Sequence, residues 1–296
     1  MFKTKETLKK IDNELEKVEG EKEKSDLLNL FLNYEGRDEV ISSEEALKEL
    51  AEERKNPPTK LMSDIPTLDS LLDGFREGDL VVISAPTKMG KTTLAMSLTH
   101  NFSKQEIPCL WFSYELRQRD FLEKFGEPIP YFLLPKNLIN NTLEWLEKRI
   151  IESIAKFGTK VVFIDHLHFI VDLEVIKQRA GISLLIGGIM RELKKIALKW
   201  NICIFLIAHT TKLSYDQAPQ LSDIRDSSFI SQEADSVLMI WRLKAKGTDQ
   251  FTNEARLVVQ ANRRNGNTGG INLVFNEGRF YEKSNYQSEY PEENGE

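Results

Sequence analysis

From residue 61 onward short apolar runs recur at 80–84, 107–112, 160–164, 202–207, 236–241 and 257–260. Each is continuous rather than alternating, which is the pattern of strands buried on both faces of a sheet. Between the early runs lie stretches with helical spacing, at 116–125, 142–156 and 182–200. Residues 65–72 read as a turn and short helix, and an amphipathic run begins at Thr92. Strands alternating with helices predict an α/β fold whose mostly parallel central sheet is covered on both sides. The segment 270–282 reads as a hairpin turning at Asn276-Glu277-Gly278.

The pattern before residue 61 is different. Nearly half of residues 1–60 are charged, with both signs interleaved. Apolar positions at helical spacing predict helices over 4–18 and in a second cluster over 26–34. Ser42-Ser43-Glu44-Glu45 reads as a helix start, followed by an apolar stripe of Ala46, Leu47, Leu50 and Ala51, and Pro57-Pro58 ends it. This is too little apolar material for an independent core. Residues 1–60 are therefore expected to be a helical extension, in which the helix at 44–54 docks its stripe on another subunit. For residues 1–42 a frayed, solvated extension and a docking segment both stay open. Residues 61–284 are expected to form the main domain, and the acidic, polar stretch 285–296 a disordered tail.

Bulk properties exclude some classes. With 41% hydrophobic and 29% charged residues the composition is that of a soluble globular protein. No apolar run approaches the length of a membrane helix, and the N-terminus lacks the apolar stretch of a secretion signal, so a cytoplasmic protein without a membrane partner is expected. Cys109 and Cys203, each in a predicted strand, suit a reducing compartment rather than a disulfide scaffold. The net charge of −6 argues against coating nucleic acid through global basicity, while leaving a local basic channel open.

The chemistry begins where the first strand ends. Ala85-Pro86-Thr87-Lys88-Met89-Gly90-Lys91-Thr92 is a P-loop pattern with Ala85 at the first glycine position, and Thr93 follows it into the helix. A helix N-terminus offers free backbone N–H groups and the positive end of its dipole to a phosphate chain. Gly90 lets the backbone approach, Lys91 reaches the outer phosphates, and the Thr92 hydroxyl can sit on Mg²⁺. An ordinary turn is the alternative, but strand, loop and helix all fall where the motif demands.

Three further strands end in polar groups. Asp165 closes one, where an ATPase needs a carboxylate to support Mg²⁺; capping a loop is its other reading. Glu115 closes another and can orient and deprotonate an attacking water, or simply stabilise a helix start. His209 closes a third, as a γ-phosphate sensor or a solvated loop residue. His166 and His168 flank Leu167, but no further Cys or His lies near them in sequence, so an imidazole beside a phosphate site is favoured over zinc. Arg225, flanked by Asp226, Ser227 and Ser228 on a predicted loop, can offer a cation and backbone donors to a phosphate backbone, with 230–237 returning to the sheet. Arg263-Arg264-Asn265-Gly266 at a strand end can supply an arginine finger, or a solvated surface pair.

In order and spacing, Met89-Gly90-Lys91-Thr92-Thr93, Phe112-Ser113-Tyr114-Glu115, Ser222-Asp223-Ile224-Arg225 with Gln232-Glu233-Ala234-Asp235, and Arg264-Asn265-Gly266 resemble the RecA-like motor domain of DnaB-type replicative helicases, over residues 44–283. At His209 the chain is similar to the Twinkle and phage primase-helicase branch, which has His rather than Gln there. The resemblance implies a homo-hexameric ring with ATP at subunit interfaces and single-stranded DNA in the channel. It gives phosphate and Mg²⁺ binding to Lys91 and Thr92, Mg²⁺ support to Asp165, the catalytic base to Glu115 and a finger acting in trans to Arg264. Arg225 and Asp226 would lie on a DNA-contacting loop, and Lys177 and Arg179 on a second one near 172–181. The helix at 44–54 matches the linker helix of the family. Asn262 stands where many members have Lys, so Arg263 becomes the candidate second cation. The segment between Glu115 and Asp165 is shorter than usual, and residues 1–42 are too short for the N-terminal domain that recruits primase in bacterial members. The resemblance also implies a primase or helicase loader as partner, although residues 1–42 do not supply the domain that would recruit primase. Two other readings stay open: a RadA- or KaiC-like ATPase without helicase activity, which shares the P-loop and acid-ended strands, and a non-catalytic ring or adaptor that binds ATP without turnover.

Overall fold

The computed structural model describes residues 21–32, 39–55, 60–167, 182–210, 219–224, 227–245, 247–248 and 250–284, together with Lys9, Ile11 and Asn13, which are helical. The chain divides into two units, Met1–Pro58 and Thr59–Glu296.

The first unit contains α1 (Glu21–Phe31) and α2 (Ser43–Glu53). Ser42 caps α2 in a reciprocal box: its hydroxyl accepts from the Glu45 N–H, and the Glu45 carboxylate accepts from the Ser42 N–H. The apolar stripe of α2 is open to solvent, with Leu47 64% and Leu50 40% exposed. Most of the helix expected over 4–18 and the tail over 285–296 lie outside the described residues.

The second unit is a single eight-stranded sheet with strand order β2-β3-β4-β1-β5-β6-β7-β8. The strands are β1 (Leu80–Ala85), β2 (Cys109–Ser113), β3 (Val161–Asp165), β4 (Cys203–His209), β5 (Ser236–Lys244), β6 (Phe251–Asn262), β7 (Gly269–Asn276) and β8 (Arg279–Glu282). β2, β3, β4, β1 and β5 run parallel, while β6, β7 and β8 add antiparallel strands to one edge. The helices are α3 (Pro66–Leu72), α4 (Lys91–Lys104), α5 (Gln118–Glu123), α6 (Leu143–Phe157), α7 (Ile182–Trp200) and α8 (Ser227–Glu233).

The continuous apolar runs have the physical cause that the sequence pattern suggested. Successive side chains of a strand face opposite sides, and both sides are covered. Val81, Ile83, Trp111, Phe163 and Phe205 pack with Leu68 of α3 and Leu94 and Leu98 of α4. Leu80, Val82, Phe112, Ile164 and Leu206 pack with Ile150 of α6 and Met190 and Leu193 of α7. On the first face Trp111, Phe163 and Phe205 stack ring on ring at 4.6 and 4.9 Å between centroids.

Three expectations need correction. β6 is far longer than the apolar run at 257–260, because Thr252, Asn253, Glu254 and Arg256 in its first half are polar and half-buried or exposed, so no apolar run marks that half. Residues 230–233 do not return to the sheet: α8 continues to Glu233, burying Ile230 on the second core, and β5 starts at Ser236. The helix expected over 116–125 is also shorter, as α5. No described helix is long and apolar enough to cross a membrane.

Candidate active site

The site lies at the C-terminal edge of the parallel strands. Register alone brings its parts together: Ser113 sits opposite Asp165, Asp165 opposite Ile207, and Ala85 opposite His209. The residue following each strand therefore emerges along one rim, where ligands bind in open α/β sheets.

β1 leads through the loop at 86–90 into α4, whose N-cap is Gly90 at φ 101°. A Cβ at Gly90 would lie 2.9 Å from the Phe280 ring, so the loop packs against the β7–β8 hairpin only because this residue has no side chain. The hairpin is fastened from below, where the Phe280 N–H donates to Ser97 of α4 at 2.9 Å.

Lys91 is 6% exposed, and its ammonium donates to the carbonyls of Ala85 and Pro86 at 3.0 and 3.2 Å. Burial lowers its pKa to about 8, against the opposing pull of Asp165 and Glu115. The Thr92 hydroxyl donates to Asp165 Oδ2 at 3.0 Å. Burial, reinforced by Glu115, raises the Asp165 carboxyl to about 6. Asp165 Oδ1 is buried and has no hydrogen-bond partner among the described residues. A hydroxyl and a buried carboxylate with one oxygen left unpartnered among the described residues are hard oxygen donors of the kind that a Mg²⁺ ion takes, so these residues fit that ion.

The cavity at this rim measures about 380 Å³. Thr87, Lys88, Gly90, Lys91, Thr92 and Thr93 line it together with Glu115 and His209. Met89 is instead buried in the first core, and Ala85 ends its strand inside the sheet. Sequence reasoning missed five other lining residues: Leu116, Lys124, Arg242, Phe275 and Phe280. Arg242 donates to the Thr252 carbonyl at 2.6 Å and lies 6.0 Å from the centroid of Phe275. Their only sequence signal is an arginine after Trp241 and aromatics in a hairpin, which is indistinguishable from strand packing. His166 also reaches this rim, its ring 4.3 Å from that of His209.

The arginine pair is elsewhere. Asn262 pairs with Ser236, at the start of β5, and Ser236 pairs with Val81, near the start of β1. Arg263 and Arg264 thus leave the opposite rim from the P-loop, a strand length away, on the order of 20 Å. Arg264 donates to the Leu72 and Gly74 carbonyls at 2.9 Å each and to Asp79 at 2.7 Å. Arg263 donates to the Gln232 carbonyl. Asn262 is buried and donates to the Leu71 carbonyl at 3.1 Å, fastening the turn to α3. Asp235, part of the motif that carried the resemblance, accepts from the Leu80 N–H at 2.7 Å and from Lys194 at 2.6 Å, so it anchors the start of β1 to α7.

Of the expected DNA-contacting residues, Arg225, Asp226, Lys177 and Arg179 lie outside the described residues, as does His168. Ser227 and Ser228 open α8 rather than lying on a loop.

Against this geometry stands one comparison that decides the family. The model of the DnaB-like helicase C terminal domain matches residues 60–126 and 135–282. The chain belongs to the DnaB-like helicase C-terminal domain family. It is 28% identical over 280 residues to the replicative DNA helicase DnaB of Mycoplasma genitalium, covering 80% of this chain and 59% of that protein. It is 28% identical over 305 residues to a probable replicative DNA helicase of Trieres chinensis, covering 86% of this chain and 64% of that one. The chain thus spans about three fifths of the length of these curated relatives. Among solved structures, a DnaB-like replicative helicase studied with primase superposes with TM-score 0.68 at 20% identity, covering 94% of this chain and 76% of that one. A second solved structure, that of an ATPase domain, superposes with TM-score 0.70 at 20% identity, covering 82% of this chain and 99% of that one. The fold is accordingly the RecA-like one of this family's ATPase domains.

Proposed function

We propose that this protein is an ATP-driven DNA helicase of the DnaB type, a homo-hexameric ring that translocates on single-stranded DNA during replication. The observation that carries the reading is the division of labour between the two rims of the sheet. The phosphate loop, the acids and His209 converge on one rim, and the arginine pair leaves the other. A single chain cannot bring both to one nucleotide, whereas neighbours in a ring can.

In this reading ATP occupies the 380 Å³ cavity. Lys91 exchanges its two carbonyl partners for phosphate oxygens, and its full charge returns as it does so. The backbone N–H groups at the start of α4 hold the phosphate chain. Thr92 and Asp165 hold Mg²⁺, which when bound neutralises charge on the phosphates. Glu115, exposed at the mouth, takes the proton of the attacking water. His209 hydrogen-bonds the γ-phosphate and reports its loss. Phe275 and Phe280 provide the less polar end of the cavity for the base, with the Arg242 guanidinium beside Phe275.

Arg264 acts on the γ-phosphate of the adjacent subunit. Its three internal hydrogen bonds leave two of its five N–H donors for that phosphate. Arg263 supplies the second cation. Single-stranded DNA is held through its phosphates by Arg225 and the start of α8, with Lys177 and Arg179 on a second loop. Such contacts carry no base identity, so binding is weakly sequence-dependent and strongly salt-dependent. The α2 stripe docks on the neighbouring subunit, and a primase or loader completes the assembly in the cytoplasm.

The test is unwinding of a forked DNA duplex with ATP and Mg²⁺, with Glu115→Gln as the blank. Strand separation by the wild type alone is the expected result. Hydrolysis that single-stranded DNA stimulates, without separation even when a loader is supplied, would favour a recombination-type ATPase. Hydrolysis indifferent to DNA would overturn the motor reading.

A further inference from the structure

Sequence order keeps His166 and His209 apart, and the sheet reunites them. β3 and β4 are parallel neighbours with Asp165 opposite Ile207, so both imidazoles emerge on the same rim. Their rings meet edge to face, with 4.3 Å between centroids and 83° between planes. Glu115, just beyond the end of β2, joins them from the other neighbour of β3. One ligand atom from each of the three residues lies within 4.8 Å of the other two.

We propose that Glu115, His166 and His209 form a transition-metal site of the zinc class, separate from the Mg²⁺ position of Thr92 and Asp165, and that a metal bound there arrests ATP hydrolysis. The donor chemistry selects the metal. Two imidazoles and one carboxylate make a three-ligand set that leaves a fourth position open, as in catalytic zinc sites. Imidazole suits zinc, nickel and copper, whereas Mg²⁺ takes oxygen donors at near-octahedral geometry. The dimensions are within reach. Bonds of 2.0–2.1 Å in a tetrahedral arrangement set ligand atoms about 3.3 Å apart. Separations of up to 4.8 Å therefore close by at most about 1.5 Å, within the swing of the exposed Glu115 side chain and two half-buried rings.

Among the described residues, the other thiol and imidazole ligands are buried elsewhere. Cys109 and Cys203 are buried, and burial pushes both thiols up, so neither offers a thiolate. His100 is buried against Phe125 on α4. Of the nearby cations, Lys91 is turned onto the Ala85 and Pro86 carbonyls, and Lys124 lines the same cavity. Asp165, next to His166, offsets part of that positive field.

The arrest rests on the reading of Glu115 as the base and His209 as the sensor, since a metal would take the lone pair that Glu115 needs and occupy the ring nitrogen whose N–H would donate to the phosphate. The binding does not rest on that reading. The full chain, free of nucleotide and in excess Mg²⁺, is dialysed against Zn²⁺ and its metal content counted, with Co²⁺ as a visible probe of coordination. One zinc per chain is expected, with the intense visible absorption of tetrahedral Co²⁺. Losing even an outer-shell partner costs roughly 10–100-fold in metal affinity, so His166→Ala and His209→Ala should each weaken binding by at least about tenfold. His100→Gln should bind as the wild type, and circular dichroism checks that each variant is folded. No zinc bound, or binding that survives His166→Ala in a folded protein, overturns the site and leaves the roles of Glu115 and His209 in hydrolysis standing. Zinc held by the trio with hydrolysis undiminished overturns the arrest, and with it the assignment of Glu115 as the base.

Discussion

Lys91 is buried where its charge is a liability until a phosphate arrives. Its pKa is lowered in the folded, nucleotide-free chain, so the unfolded chain binds the proton more tightly. The resulting penalty is present in full below about pH 8 and fades as pH rises toward the free-lysine value of 10.5. Lys91→Met should therefore abolish nucleotide binding and yet raise the melting temperature of the nucleotide-free protein at pH 7, by a gain of up to about 3 kcal/mol. A thermal melt of both forms at pH 7 and pH 10 tests this, because the gain should shrink at the higher pH. Glu115 behaves differently, being exposed and outside the phosphate cradle. Glu115→Gln should bind ATP with near-normal affinity and hydrolyse it at least about 100-fold more slowly, as single-turnover measurement would read.

Among the elements, the P-loop and the β7–β8 hairpin depend on one another through Gly90 and Phe280. Gly90→Ala adds a Cβ against that ring and holds an L-residue at positive φ, a strain of about 1–2 kcal/mol. If the loop opens to relieve it, nucleotide affinity should fall roughly tenfold, measurable with a fluorescent analogue. Phe280→Ala in the same chain should restore part of the loss if the clash is the cause. At the other rim, Lys194→Met leaves the Asp235 carboxylate without its cation at the start of β1. Both side chains keep some solvent, so the cost should be about 3 kcal/mol at most. Urea unfolding should register it with an unchanged slope. This pair also qualifies how the motif is read: Asp235 helped carry the family resemblance, yet its contacts are those of a structural anchor.

The whole molecule raises the question of where a complete site exists. With the P-loop and Arg264 on opposite rims, hydrolysis is expected to be a property of the interface. Arg264→Ala should leave ATP binding to each chain intact and remove turnover. Mixing inactive Arg264→Ala and inactive Glu115→Gln chains should recover activity, because some interfaces then pair an intact Glu115 with an intact Arg264. Mixtures that stay inactive after subunit exchange, or normal turnover by Arg264→Ala alone, would refute the role in trans.

The sequence by itself determined the local features. Apolar runs marked the strands because burial on both faces leaves no polar alternation, and the phosphate loop was legible because strand, glycine and helix start are contiguous. The polar ends of the strands at Glu115, Asp165 and His209 could be read for the same reason. Only the tertiary structure decided which ends meet. The order β2-β3-β4-β1-β5 is not the chain order, since it is set by helices crossing over the sheet to bury both faces, and no local pattern encodes it. Hence the approach of His166 to His209 was invisible in the spacing, as were the lining of the cavity by Arg242, Phe275 and Phe280 and the removal of Arg264 to the far rim. Each depends on how the whole sheet is assembled, where the energy lies in the packed core and the functional group is carried along with it.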